Sequence, residues 1–444
     1  MPYLDFFPSE LTAIGWGILT FFGSIWWLWA PYVLFLFFLR LWLIYARAEF
    51  LSRVVWTLLE IKIPSEVGKP PQAMEQVFAG LHGIRRGFNM LETYWEGKMY
   101  LWFTCEIVGR GGAISFFVWT PTQFRNLVEA QIYAQYPESE IREVEDYTSD
   151  ISLDFPEKGY GMYGFELALV KEDAYPIRTY KAFTMGTMET EEQKVDPMAS
   201  LTEALSKLKN GEELWIQIYI RPTADSWKQK GMELVDKLLG RKKPRKKGFV
   251  ENIFGGINEY IGILSFALLG TAKAPVKKEE KKDTQGKLSP GEQDIIKAIE
   301  QNISKIGFDT AIRILYIAKR DVFDFGNIAA LGGAFNQFND LNLNGFKRVN
   351  GTSVDYLFKA RRELHLKKSL LLQYQRREKP APAYAFSPAE ELYKLLKSHK
   401  KALFVFNIEE LATIFHIPGG VVTTASLPRV EAKRAAPPIN LPLG

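Results

Sequence analysis

The sequence predicts an α+β protein in which an amino-terminal transmembrane helical anchor precedes tandem ferredoxin-like α/β units, with helices on one face of each sheet. Two observations carry that prediction. From Leu11 to Leu39 there is no charged residue, and beyond Arg40 the apolar pattern runs on to Ala46. After this stretch one order of signals recurs: a helix, a glycine stop, an apolar strand and a second helix, as duplicated units would give.

About 20 apolar residues suffice to cross a bilayer, and no basic start or small-residue cleavage site marks the stretch as a secretory leader. Pro31, with Trp26, Trp27, Trp29 and Tyr32 around it, reads as the tip of a tight hairpin at an aromatic interface. A single kinked helix stays open beside the hairpin. Asp5 and Glu10 precede the stretch while Arg40, Arg47 and Arg53 follow it, so either topology puts the body on the cytoplasmic side of the inner membrane.

A proline-bounded linker, Pro64 to Pro71, opens the body. Gln72 to Arg85 carries Met74, Val77, Phe78, Leu81 and Ile84 at helical spacing. Tyr100–Val108 and Ala113–Trp119 read as a hairpin through Gly109, Arg110, Gly111 and Gly112, followed by a helix bearing Phe124, Leu127, Val128 and Ile132 and a strand at Ile141–Val144. The pattern then repeats. Leu201–Leu208 is a helix closed by Asn210-Gly211, Leu214–Ile220 a strand and Trp227–Leu239 a helix. Ser289-Pro290 opens a helix to Ile303, Thr310–Ala318 is a strand and Phe325–Phe338 a helix. These signals divide the chain into an anchor over 1–60, α/β units over 61–148, 149–240 and 289–378, an inserted loop over 241–288, and a helical segment with a proline-rich tail over 379–444.

Lys plus Arg number 56 against 51 Asp plus Glu, so the net charge of +5 makes no global case for nucleic acid. One cysteine, Cys105, excludes an internal disulfide and paired-thiolate metal sites, and it reads as a buried strand thiol. No Gly-Lys-Ser/Thr phosphate loop occurs, and Ser289 reads as a helix cap. His82, His365, His399 and His416 lack metal-site spacing. Glu138, Glu140, Glu143, Glu145 and Asp146 read as a solvated face. These patterns give no catalytic, cofactor or metal residues.

The most informative polar feature is Arg241, Lys242, Lys243, Arg245, Lys246 and Lys247, beside an apolar run from Phe249 to Leu269. Three readings stay open for it: a solvated linker, contact with anionic lipid headgroups, and contact with DNA phosphates.

Four strings, LLEIKIPSEVGKPPQAMEQVFAGLHGIRRG (58–87), FFVWTPTQFRNLVEAQIYAQYPESEIREVEDY (116–147), DPMASLTEALSKLKNGEELWIQIYIRP (196–222) and FNIEELATIFHIPGG (406–420), resemble the amino-terminal region of membrane-tethered, conjugation-type (type IV secretion-like) motor ATPases. In that family the region precedes a RecA-like motor, through a join that resembles VEAKRAAPPINLP (430–442). The resemblance implies a motor on a separate polypeptide, or a longer chain of which this is a fragment. It further implies a non-enzymatic membrane platform for a DNA- or protein-translocating machine, with Pro437, Pro438, Asn440 and Pro442 docking the ATPase. The expected partners are that ATPase, membrane lipid, DNA, and further copies of the chain in a ring. A membrane-bound nucleic-acid-binding protein that uses the basic loop is the alternative.

Overall fold

The described chain begins in helix α1 (Trp26–Ser52), which runs through Pro31 and leads by three residues into strand β1 (Trp56–Pro64). The computed structural model describes residues 20, 23–64, 69–184, 196–224, 226–241, 288–355, 358–379, 402–418 and 429–430. Two split β-α-β arrangements follow one another and share one sheet. The first comprises β1, α2 (Gln72–Leu81), the short helix α3 (Met90–Tyr94), β2 (Phe103–Arg110), β3 (Ala113–Pro121), α4 (Arg125–Gln135) and β4 (Glu140–Val144). The second begins with β5 (Tyr160–Leu169), α5 (Tyr180–Thr184), α6 (Ala199–Ser206), β6 (Glu212–Pro222) and α7 (Ser226–Leu238). It continues through α8 (Pro290–Ile303), β7 (Gly307–Lys319), α9 (Phe325–Asn336) and β8 (Phe346–Val349). After it come α10 (Lys359–Gln375), β9 (Phe404–Asn407), α11 (Ile408–Ile414) and the two-residue β10 (Arg429–Val430).

The strand path is β4-β1-β3-β2-β6-β7-β5-β8, with β9 added to β7 and β10 to the end of β1. Each half therefore has its four strands in the spatial order 4-1-3-2. The halves meet where β2 and β6 pair antiparallel from Phe103↔Ile220 to Arg110↔Glu213. Local chemistry sets the turns. Gly111 and Gly112 have φ of 53° and 88°, the left-handed pair that a two-residue hairpin between right-twisted strands needs. At the matching place in the second half, the β6–β7 connection carries α7 and α8 instead. Helix α8 starts on a capping box: the Ser289 hydroxyl accepts from the Glu292 amide, the Glu292 carboxylate accepts from the Ser289 amide, and Pro290 fills a position whose N–H has no partner to lose.

One face of the sheet is covered by α2, α4, α6, α9 and α11, over a core that includes Phe78, Phe103, Ile216, Ile314 and Leu411. The other is covered by α10 and the segment 147–160, over Phe155, Trp215, Leu315, Leu371 and Tyr374. With both faces covered, β2 is buried from Phe103 to Gly109 and β7 from Thr310 to Ala318.

The predicted anchor is corrected. Among the described residues no helix is long and apolar enough to cross a membrane. The charge-free run begins at Leu11, and its residues 11–19, 21 and 22 lie outside the described ones; the described helix starts at Trp26, holds Pro31 and carries Arg40 and Arg47 along its length. Its carboxyl-terminal part is an arm of the body. Ala46 is buried, the Trp42 indole N–H donates to the Tyr94 carbonyl at 3.0 Å, and Trp42 packs on Trp95 with centroids 5.1 Å apart. Residues Val33 to Leu39 of the same helix are exposed.

The expectation of a separate sheet for each tandem unit is corrected too. The strand predicted at Thr310–Ala318 is the third strand of the second half, and all strands on the path belong to one sheet. The missed strands explain the difference. In β1, Leu59 and Ile61 alternate with Glu60 and Lys62, a period-2 pattern overlooked beside Pro64. In β5, Gly161 and Gly164 suggest a loop, but they are sites of close approach: a Cβ at Gly161 would meet Phe323 at 2.8 Å, and one at Gly164 would meet Leu315 and Leu370 at 2.6 Å. The inserted basic loop falls in the β6–β7 connection, and its residues 242–287 lie outside the described ones.

Candidate functional site: a basic helix on a buried polar ladder

Strand register brings four polar side chains into one row under α10. Glu106 of β2 pairs with Gln217 of β6, Gln217 with Arg313 of β7, and Arg313 with Glu166 of β5. All four are at most 3% exposed. Desolvation makes such a row costly unless each group is bonded. Here each is. The Arg313 guanidinium donates to Glu166 Oε1 (3.1 and 3.2 Å) and to Gln217 Oε1 (3.0 Å), while Asn350 Nδ2 donates to Glu166 Oε2 (2.7 Å). Glu106 Oε1 accepts from Thr104 Oγ1 (2.8 Å), Gln217 Nε2 (2.9 Å) and Arg377 Nε (2.9 Å). Its Oε2 accepts from Tyr147 OH (2.8 Å) and Arg377 Nη2 (3.2 Å).

The ladder fixes α10 from below. Gln217 Nε2 donates to the Tyr374 carbonyl (3.0 Å), Arg313 Nη1 to the Gln373 carbonyl (3.0 Å), and the Tyr147 and Tyr374 hydroxyls share a hydrogen bond of 2.9 Å. Arg377, two residues past the helix, has φ of 52°, the left-handed position that usually falls to glycine at a helix end. That turn drives its guanidinium inward, where it is 1% exposed and grips Asp146 through two bonds of 2.6 and 2.9 Å. Trp102 Nε1 donates to its carbonyl at 2.8 Å. Burial disfavours the Arg377 charge, but Glu106 and Asp146 outweigh it and hold the cation well above its ordinary value. Burial also pushes the Tyr147 and Tyr374 phenols well up, with Glu106 adding to both. Five donated hydrogen bonds hold the Glu106 carboxylate in place. The ladder clamps α10 to the sheet.

The clamped helix presents cations. Helix α10 contains Lys359, Arg361, Arg362, Lys367 and Lys368 against Glu363 alone. Along its flank lies a cavity of about 340 Å³, which adjoins a second of about 520 Å³ beside α9; the two share Tyr163, Phe325 and Ser353. Arg320, Lys359, Lys367 and Phe323 line the smaller; Arg348 and the α9 residues Ala329, Gly332 and Gly333 line the larger. Glu363, the acid in this wall, accepts from Ser353 Oγ and the Val354 amide, both at 3.2 Å. The Arg348 guanidinium lies 5.0 Å from the Phe165 ring centroid, and Arg320 donates to the Pro156 carbonyl at 2.8 Å. Phe325, at the start of α9, is 67% exposed, and Phe358, beside Lys359, is 76% exposed.

Of the residues predicted from sequence, Arg241 follows α7, with Nη1 3.8 Å from the Asp236 carboxylate and its amide bonded to the Asp236 carbonyl. Lys242, Lys243, Arg245, Lys246, Lys247, Pro437, Pro438, Asn440 and Pro442 lie outside the described residues. The acidic group of 138–146 is divided: Glu143 pairs with Arg125, and Asp146 turns inward to Arg377. Sequence reading passed over the cleft residues Arg320, Arg348, Lys359, Lys367 and Phe325. The density of Lys and Arg from 359 to 377 was the signal that could have found the helix. Nothing local could have found the ladder or its clamp, since Glu106 and Arg377 lie 271 residues apart.

No curated protein matches this sequence. Residues 46–427, which hold both halves of the sheet, the ladder and the basic helix, match one family along their whole length, and the chain belongs to it: the family described as Domain of unknown function (DUF8128).

Proposed function

We propose that this chain is a non-catalytic platform whose described body binds a nucleic acid along α10. The observation that carries the reading is the pair of adjoining cavities that meet at the exposed Phe325, one lined by Arg320, Lys359 and Lys367 and the other by Arg348. Cations that meet a polyphosphate release its condensed counterions, so four contacts predict a log–log salt slope of about −3 and about a fiftyfold loss of affinity between 50 and 200 mM salt. A helix held by buried bonds keeps those charges in place, and this preorganisation lowers the cost of binding. The test is fluorescence anisotropy of a labelled oligonucleotide against salt, with the full chain and with Lys359→Glu/Lys367→Glu. The variant should bind at least tenfold more weakly and with a shallower slope; a flat salt response of the wild type would refute the reading.

A second reading, a dock for a separately encoded motor ATPase, is favoured by β10. Its parallel pairing with Ile63 and Pro64 brings the chain just before the proline-rich tail to the sheet edge beside β1. Recovery of a phosphate-loop ATPase with the full chain but not with one ending at Gly420 is the expected result, and equal recovery would remove the tail's role.

A further inference from the structure

We infer that the strand bound along α10 is single-stranded, with an unpaired base stacked on Phe325; the inference rests on the nucleic-acid reading above. Phe325 leaves 67% of its surface in water, and with the half-buried rings Tyr163 and Phe323 it makes an apolar patch where the two cavities meet. The ring is supported rather than loose. Phe323 and Tyr163 meet it nearly at right angles, with interplanar angles of 72° and 69° and centroids 5.2 and 6.3 Å away. Phe323 is braced in turn by Tyr316 at 4.9 Å. Beyond the ring, the larger cavity runs over α9, where Arg348 lies against Gly332 and a Cβ at Gly333 would meet nothing within 4 Å, so the space above Gly333 is open beside a cation. Arg348, at 5.0 Å over the Phe165 ring, borders the same cavity.

A cationic wall and an aromatic platform together select among polyanions. Duplex bases already cover each other's faces and offer the cleft only phosphates. An acidic peptide offers charge without a ring to stack. A single strand offers both, and base–aromatic stacking tolerates any base because each has a π face. Lys359 pairs with Asp355 at 3.3 Å, an exposed bridge that a phosphate can replace at little cost.

The experiment compares four fluorescent probes of equal length or charge on the full chain at 50 mM and 200 mM salt: oligothymidylate, a duplex, an abasic phosphodiester strand, and an oligoglutamate peptide. Oligothymidylate should bind about tenfold tighter than the abasic strand and the duplex. Phe325→Ala, whose fold is checked by circular dichroism, should bring it down to the abasic level and leave the salt slope unchanged. Phe325→Trp should restore the preference, with quenching of the new indole on binding. Equal, steeply salt-dependent binding of all three phosphodiester probes would overturn the stacked base while the polyanion reading survives. Oligoglutamate binding as tightly as oligothymidylate would overturn the inference in favour of an acidic protein segment. Salt-independent or absent binding of every probe would overturn both readings.

Discussion

Arg377→Ala removes the cation that joins the end of α10 to the sheet. Breaking a buried pair from one side costs about 3–5 kcal/mol, because the remaining charge is left uncompensated. The lower end applies here. Glu106 keeps its bonds from Thr104, Tyr147 and Gln217, and the Asp146 side chain, 41% exposed, regains water. A loss of about 3 kcal/mol is therefore expected. The backbone supplies an internal control. Alanine at φ 52° keeps the left-handed strain that glycine escapes, so Arg377→Gly should be about 1 kcal/mol more stable than Arg377→Ala, even though both lose the same contacts. The assay is urea unfolding followed by tryptophan fluorescence, with the slope against urea required to stay constant, alongside amide exchange over 359–375. Exchange in α10 should accelerate more than exchange in β2 or β7. A loss below about 1 kcal/mol, or unchanged protection of α10, would refute the clamp.

Gly164→Ala would set a Cβ 2.6 Å from both Leu315 and Leu370, and overpacking of this kind should cost about 1–3 kcal/mol and lift α10, read by urea unfolding and by weaker oligonucleotide binding. Asp146 is held below the usual carboxylate value: burial alone would raise it, and the bonds and charge of Arg377 more than reverse that. Its contribution is complete above the unfolded carboxylate pKa of about 3.9 and is lost as pH falls through the lower folded value. Asp146→Asn should therefore be less stable than wild type at neutral pH and converge with it in acid, as an unfolding series across pH would record. Burial pushes the Cys105 thiol far up, so a thiol reagent should leave the folded chain unlabelled and label it in urea; rapid labelling of the native protein would contradict the packing of β2.

The sequence made some elements plain and hid others for definite reasons. Where burial is one-sided, the pattern reads directly: Met74, Val77, Phe78 and Leu81 in α2, or the Ser289 cap of α8, match what local rules require. β5 was hidden because its glycines serve neighbours that arrive from Phe323 and Leu370, a tertiary demand with no local trace. The predicted anchor failed because the apolar stretch runs into a helix, Trp26–Ser52, that holds Pro31 and the charged Arg40, Arg47 and Glu49. The site divides the same way. A run of cations from Lys359 onward was available to inspection, but the floor beneath it comes from four strands that only the sheet register assembles.

The edge-to-edge join of β2 and β6 also decides how this molecule can be taken apart. Each half alone would present a raw edge eight residues long, with Cys105, Ile107, Ile216 and Ile218 beside its unpaired amides. The two halves are thus obligate companions, each the other's solubility factor. Between them, the β6–β7 connection already tolerates a long insertion where the first half has a two-residue turn, so register there is written in the strands and not in the loop. The connection is therefore the place to try a reporter domain, because the flanking strands and not its length hold the pairing.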